Sequence, residues 1–341
     1  MQTTLQKQRP RTRVVRRAVH GVLLLDKPLG LSSNDALQKA KWLYRAEKAG
    51  HTGTLDPLAT GLLPLCFGAA TKFSQISLDA DKTYRATLKL GITTTTADAE
   101  GEVLQQREVN VTRAQFEAAC TRLTGPIEQV PPMYSALKRD GKALYEYARA
   151  GVEVEREARA VTIHRIDIPA GDHQGVDDTW TIEVRCSKGT YIRTLAEDIG
   201  ELLGCGAHLS ALRRTGSGVL ALDKALTLDQ LANMTEAERD AALLAADALL
   251  ADWPVVRLGT EDAGRFLSGL RRRTLLADAP NVRVYGPEPK AFLGGGHIMA
   301  GELISTRLLS PIEVQGLLAE PVVEAEASAP AAPASQEISV F

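Results

Sequence analysis

One ionisable acid stands out because of the residues set around it. The stretch Gly50-His51-Thr52-Gly53-Thr54-Leu55-Asp56-Pro57-Leu58-Ala59-Thr60-Gly61 places Asp56 among turn formers. Glycines 50, 53 and 61 accept backbone conformations closed to other residues, and Pro57 fixes φ directly after the acid. The proline also drives Asp56 out of the α region toward an extended conformation. Leu55, Leu58, Leu62, Leu63 and Leu65 surround the carboxylate with apolar groups that need a core. A carboxylate held this way is either an Asx-type turn residue or a working acid, acting as nucleophile or base. Burial would raise its pKa, so it would need a cationic neighbour to stay ionised.

Other chemistries find little support. The four cysteines (Cys66, Cys120, Cys186, Cys205) are far apart and form no CxxC pair, which argues against a disulfide framework or zinc site and for a reducing compartment. The six histidines include no HxxxH pair, so no metal is expected. Gly294-Gly295-Gly296 is followed by neither a helix start nor Gly-Lys-Ser/Thr, which removes a nucleotide cradle. No apolar run approaches the roughly 20 residues of a membrane span. A net charge of −2 hides an asymmetry that matters more than the total. Residues 1–19 carry six Lys and Arg and no acid, while Glu320, Glu324, Glu326 and Glu337 close the chain with no base. The basic start has no apolar segment of a secretory signal. Its composition fits a transit peptide, a phosphate-touching arm or a solvated tail.

The elements that must position Asp56 can be sketched from periodicity. His20 to Leu25 reads as a buried strand closed by the turn Asp26-Lys27-Pro28-Leu29-Gly30, with a helix over about Ala36 to Arg45. Asp81 to Gly91 alternates as a strand carrying Tyr84, Thr93 to Gly101 is a polar excursion, and Thr112 to Leu123 suits a helix. Gly125 to Lys142 is rich in Pro, Gly and basic residues around Met133 and Tyr134, and a short helix over Ala143 to Ala150 carries Tyr145, Tyr147 and Arg149. Basic residues interleaved with aromatics, here Lys138, Lys142, Tyr134, Tyr145 and Arg149, suit phosphates and unpaired bases, or a solvated hairpin. Two strands, Val161 to Ile168 and Trp180 to Cys186, precede a helix over about Ile192 to Leu203. From about Trp253, short segments including Phe266 to Leu270, Val282 to Tyr285, Phe292 to Gly296 and Gly301 to Leu303 read as strands of a small β-rich unit. Beyond Pro311 the Ala/Pro/Glu composition predicts a disordered tail.

Three separated stretches carry a specific likeness. They are the twelve residues Gly50 to Gly61, the run Lys188-Gly189-Thr190-Tyr191-Ile192-Arg193, and Gly204-Cys205-Gly206-Ala207-His208-Leu209-Ser210-Ala211-Leu212-Arg213-Arg214-Thr215. Together they resemble the TruB family of tRNA pseudouridine synthases over roughly residues 20–312. The resemblance implies an α+β fold: a mostly antiparallel central sheet flanked by helices, with an inserted RNA-binding thumb and a small PUA barrel behind it. It divides the chain into a basic arm (1–19), a catalytic domain (20–250, thumb about 125–150), a PUA-like domain (251–313) and a disordered tail (314–341).

In that family the loop aspartate, here Asp56, is the catalytic residue, and the motif arginine, here Arg193, pairs with it while Tyr191 lies close by. The family's tyrosine in a Lys-x-Tyr context packs on the target base, which points to Tyr84, and its leucine against the base corresponds to Leu212. The matching histidine, His51, acts in that family on the loop's tertiary base pairing, though the residues alone favour an ordinary loop histidine. Lys27 would order the catalytic loop or be an exposed turn lysine. Arg213 and Arg214 would be structural or contact phosphates. The implied activity is isomerisation of uridine 55 in the tRNA T loop, without cofactor or metal, in the cytoplasm, by a monomer with tRNA (T-arm) as its partner and no membrane association. A retaining glycoside hydrolase would need a second carboxylate about 5 Å away, for which only Glu197 and Asp198 offer themselves. A non-catalytic RNA binder would use the thumb and PUA surfaces and need no Asp56.

Overall fold

The computed structural model describes residues 15–170, 176–287 and 291–319. Among them a nine-stranded sheet forms the main body. In chain order its strands are β1 (Gly21–Lys27), β2 (Ala49–His51), β3 (Ala59–Phe67), β4 (Lys82–Leu90), β5 (Gly125–Gln129), β6 (Arg159–Asp167), β7 (Thr179–Cys186), β8 (Ala207–Ser217) and β9 (Leu220–Ala221). The spatial order is β1-β3-β8-β4-β7-β6-β5, with β2 on β3 and β9 on β8. Every pair is antiparallel except β3 with β8.

Helices α1 (Ser33–Leu43), α2 (Ser74–Asp79), α3 (Arg113–Arg122), α4 (Leu144–Arg149), α5 (Ile192–Leu202), α6 (Leu228–Asn233) and α7 (Glu236–Ala241) accompany the sheet. α1 begins three residues earlier than expected because Ser32 accepts the Asp35 N–H as its cap. α3 opens on a Thr112/Gln115 capping box; matching boxes at Thr227/Gln230 and Thr235/Glu238 start α6 and α7.

The apolar runs of β1 and β3 are unbroken because both faces of these strands are covered. Leu23, Leu25, Leu63, Leu65 and Phe67 join one core with Tyr44, Phe116, Trp180 and Leu195. Val22, Leu24, Leu62 and Cys66 join a second core on the other side. That second core extends into a five-stranded sheet of β10 (Val255–Arg257), β11 (Arg272–Arg273), β12 (Ala279–Tyr285), β13 (Phe292–Met299) and β14 (Glu302–Leu308), ordered β10-β12-β13-β14-β11. Phe73 of the body packs against Phe292 at 5.2 Å between ring centroids.

Four expectations are corrected here. Phe266 and Leu267 end a helix, α8 (Thr260–Leu267), rather than forming a strand, with Ala263 and Phe266 buried one helical turn apart. Residues 125–129 are not thumb but the sheet-edge strand β5, paired with β6. Order does not stop at Pro311: α9 (Pro311–Ala319) follows, with Val314 inside the second core. Its N-terminal turn is fastened to the body by the Lys72–Glu313 ion pair at 2.6 Å. The basic arm, too, is anchored near its end, where Arg17 pairs with Asp240 and Val19 is buried. Residues 1–14 and 320–341, holding most of the expected arm and tail, lie outside the described residues.

Candidate active site

Asp56 sits on the irregular segment between β2 and β3, and the backbone around it is tied down from several sides. The Ser33 hydroxyl accepts the Leu55 N–H at 2.7 Å and donates to the Leu55 carbonyl at 3.0 Å. Gly30 N–H donates to the Pro57 carbonyl at 2.9 Å, so the turn after β1 grips the loop directly. Arg214 holds both legs: Nε donates to the Leu62 carbonyl at 2.7 Å and Nη2 to that of Gly53 at 3.3 Å. Two glycines here are sterically required. Gly53 and Gly61 have φ of +91° and +96°, and a Cβ on Gly61 would lie 2.3 Å from the Arg214 carbonyl oxygen.

Arg193, from the first turn of α5, reaches Asp56 with Nη2 at 2.9 Å from Oδ2. Its side chain is only 6% exposed and both terminal nitrogens are bound. Nη1 donates to the Thr96 carbonyl at 3.0 Å and lies 3.6 Å from Asp98, while Nη2 also donates to the Tyr134 carbonyl at 2.6 Å. Asp98 is 4% exposed and accepts from Thr96 Oγ1 at 2.5 Å and from the Glu100 N–H at 3.0 Å. One guanidinium thus serves two carboxylates of different kinds: Asp98 is enclosed, whereas 41% of the Asp56 side chain faces solvent. Desolvation nevertheless raises the Asp56 carboxyl above its ordinary value, and Arg193 pulls the other way. A partly open carboxylate with raised basicity and a fixed cationic partner can act as a nucleophile or a base.

Lys27 is fully buried, which excludes an exposed turn lysine. Its ammonium donates to the carbonyls of Pro28 at 2.9 Å and Leu31 at 2.6 Å. Burial lowers it to about 8, with the nearby Asp56 charge opposing. Tyr84 is buried on β4, opposite Arg214 of β8, and desolvation raises its hydroxyl. Tyr191, half-buried, caps α5; its N–H donates to Gln129 Oε1 at 2.9 Å. Leu212 is half-buried on β8, in register with Ala59 three residues beyond the acid. His51 is half-buried on β2 with a buried, unpartnered Nδ1, and burial followed by the Arg214 charge lowers its pKa, favouring the neutral ring.

The remaining predicted residues divide sharply. Lys138 and Lys142 are exposed on a small hairpin, and Tyr145 and Arg149 on α4. Lys142 lies over the Tyr147 ring at 4.6 Å and Arg149 over the Tyr145 ring at 5.3 Å. Tyr134 is half-buried and meets the site through its carbonyl. Arg213 makes a two-pronged pair with Asp26, at 2.6 and 3.0 Å. Arg214, 1% exposed, is inside the protein and cannot reach a phosphate, which corrects its placement among RNA contacts. Sequence reasoning missed Asp98 and Ser33. Asp98 read as one more polar residue of the excursion from Thr93 to Gly101, and Ser33 as one of several helix caps.

Among solved structures, the fold matches "Crystal Structure of a Cbf5-Nop10-Gar1 Complex" at a TM-score of 0.66, with 24% identity over 86% of this chain and 87% of the other. "Structure of H/ACA RNP bound to a substrate RNA containing 2'-deoxyuridine" follows at 0.65, with 22% identity over 86% of each chain. A family profile described as "TruB family pseudouridylate synthase (N terminal domain)" matches residues 41–192, and "tRNA pseudouridylate synthase B C-terminal domain" matches 193–251. The class is therefore pseudouridylate synthase. Proteins called "tRNA pseudouridine synthase B" from Verminephrobacter eiseniae and Ralstonia pickettii are 59% identical over 312 residues and 64% identical over 273. Those alignments cover 91% of this chain and 94% of the relative, and 80% and 86%, respectively. The chain belongs to the TruB family.

Proposed function

We propose that this protein is a tRNA pseudouridine synthase that isomerises uridine 55 of the T loop. The observation that carries the reading is the Arg193–Asp56 pair, which joins two of the three family motifs at 2.9 Å on a loop fixed by its glycines. The reaction breaks the N1–C1′ bond, turns the base and closes a C5–C1′ bond; a proton leaves C5 and N1 gains one. Atoms balance within the nucleotide, so the residues need supply only a carboxylate, a pocket and a place to turn the base. Asp56 is the acting carboxylate, and Arg193 fixes its orientation and favours its ionised form. Tyr84 offers a ring and Leu212 a wall to the flipped base, with Tyr191 beside them; His51 stands where the loop's tertiary pairing must be displaced. Lys27 orders the loop from beneath.

The base must leave the RNA stack before its glycosidic bond is reached, at a cost of a few kcal/mol that stacking and pocket contacts offset. Residues 130–150 act as a thumb, with Lys138, Lys142, Tyr145 and Arg149 toward the RNA. The sheet β10–β14 is a PUA-type module adding tRNA contacts. The enzyme works as a cytoplasmic monomer on the T-arm. An unmodified tRNA transcript incubated with the protein, followed by mapping of pseudouridine, tests the proposal. Conversion at position 55, lost in Asp56→Asn with binding kept within about tenfold, or ~1.4 kcal/mol, is expected. Release of free uracil would mean a glycosidase, and binding without conversion by the wild type would mean an RNA-binding protein.

A further inference from the structure

Lys82 has no part in the chemistry above, yet it is 7% exposed and its ammonium is spent entirely on backbone. Nζ donates to the carbonyls of Ser77 at 2.7 Å, Leu78 at 3.1 Å and Ala80 at 2.6 Å, which end α2. A cation at the C-terminal end of a helix satisfies carbonyls that have no intrahelical partner. Lys82 and Tyr84 share one face of β4, two residues apart. Their register partners on β8 are Ser217 and Arg214.

From this point a buried polar network leads to the catalytic loop. Ser77, held by Lys82 through its carbonyl, donates from Oγ to Thr52 Oγ1 at 3.0 Å and lies 3.4 Å from Ser217 Oγ. Thr52, fully buried, is the residue before Gly53, and its N–H donates to the Pro64 carbonyl at 3.0 Å. Arg214 binds the Gly53 carbonyl and stands in register with Tyr84, and the Lys82 Cε lies 3.9 Å from where a Gly53 Cβ would stand.

We propose that Lys82 is a positioning residue: by pinning the end of α2 it fixes, through Ser77 and Thr52, the ascending leg of the catalytic loop against the strand that carries Tyr84. The two sides of the site, acid and ring, are thereby set relative to each other from below. Burial lowers this cation to about 8, with the nearby Asp79 and Asp81 among the groups that oppose the shift. The arrangement rests on Asp56 being the acting carboxylate, which Asp56→Asn assayed alongside tests separately.

The experiment compares full-length wild type, Lys82→Met and Ser77→Ala on a tRNA transcript, well below each melting midpoint. Single-turnover rate at saturating RNA and tRNA Kd are both measured. At such a temperature a purely structural loss leaves the folded enzyme's rate unchanged. A displaced loop should slow the single turnover about tenfold or more in Lys82→Met and several-fold in Ser77→Ala, since a shift near 1 Å costs up to ~10²-fold; Kd should stay within about threefold. Rates within twofold of wild type in both variants would overturn the proposal, as would a loss of affinity in place of rate. A slow Lys82→Met beside an unchanged Ser77→Ala would overturn the route through Thr52. Should Lys82→Met fail to fold, Ser77→Ala decides alone.

Discussion

Replacing Arg193 separates what its guanidinium does for stability from what it does for Asp56. In Arg193→Met the Asp98 carboxylate, 4% exposed, loses its cation while remaining enclosed. Breaking a buried pair by removing one partner costs about 3–5 kcal/mol. Asp56 adds little to that sum, because 41% of its side chain reaches water and an exposed charge is screened. At roughly 2–4 °C per kcal/mol for a protein approaching this size, the melting midpoint should fall by about 6–20 °C. Arg193→Lys keeps the charge but not the fork that meets Asp56, Asp98 and two carbonyls, so its cost should be smaller, about 1.5–3 kcal/mol. Turnover should fall heavily in both, since neither fixes the Asp56 carboxylate. The decisive variant is Arg193→Met with Asp98→Asn. Removing the stranded charge should return most of the lost stability in calorimetry, while single-turnover pseudouridine formation stays down. A double variant that melts no higher than Arg193→Met would refute the view that Asp98 carries the stability term. One that regains turnover would refute the role of Arg193 beside Asp56.

Three further outcomes are expected. Gly61→Ala, at φ +96° and with its Cβ 2.3 Å from a backbone oxygen, should cost about 1–3 kcal/mol or more and slow turnover, whereas Gly50→Ala, with open space, should change little; equal melting of the two would refute the argument. The single-turnover rate should fall as pH drops through the raised pKa of Asp56, so its acid limb should lie above the ~3.9 of a free aspartate; a limb at or below that value would show an unperturbed carboxylate. A fragment ending at residue 252 should melt well below the full chain and turn over slowly even at saturating tRNA, because it strips the second core; a fragment of unchanged melting midpoint and rate would show the module to be an appendage.

The acid, its glycines and its arginine were legible in the sequence because each is demanded by local covalent geometry or a compact motif. What stayed hidden depends on the tertiary fold. Arg213 and Arg214 are neighbours in sequence and alike in chemistry, yet β8 sends one to a surface pair with Asp26 and the other into the interior. Side chains alternate along a strand, so the two point to opposite faces, but sequence alone does not say which face is closed. Asp98 was missed for a similar reason: an acid in a polar loop looks solvated until β8 is seen to hold that loop, through the Ala99 and Leu209 N–H groups, over Arg193. Helix α8 was misread because Phe266-Leu267-Ser268-Gly269-Leu270 shows its apolar end first, while the acids Glu261 and Asp262 that mark its start lie upstream.

The two cores explain why the C-terminal sheet bears on the site although all three motifs lie before residue 216. β1 leads into the turn that grips Pro57, and β3 leaves directly from the acid loop. Each strand is buried on one face in the first core and on the other in the second, which continues through Phe73 to Phe292 of the C-terminal sheet. A strand packed on both faces cannot shift without opening contacts in close-packed surroundings, which resist even small displacements. Phe73, in the segment leading to α2, extends the same contact toward Ser77 and Thr52. The C-terminal sheet therefore backs the strands that carry the loop. Its removal should act on the rate of bound substrate as well as on affinity.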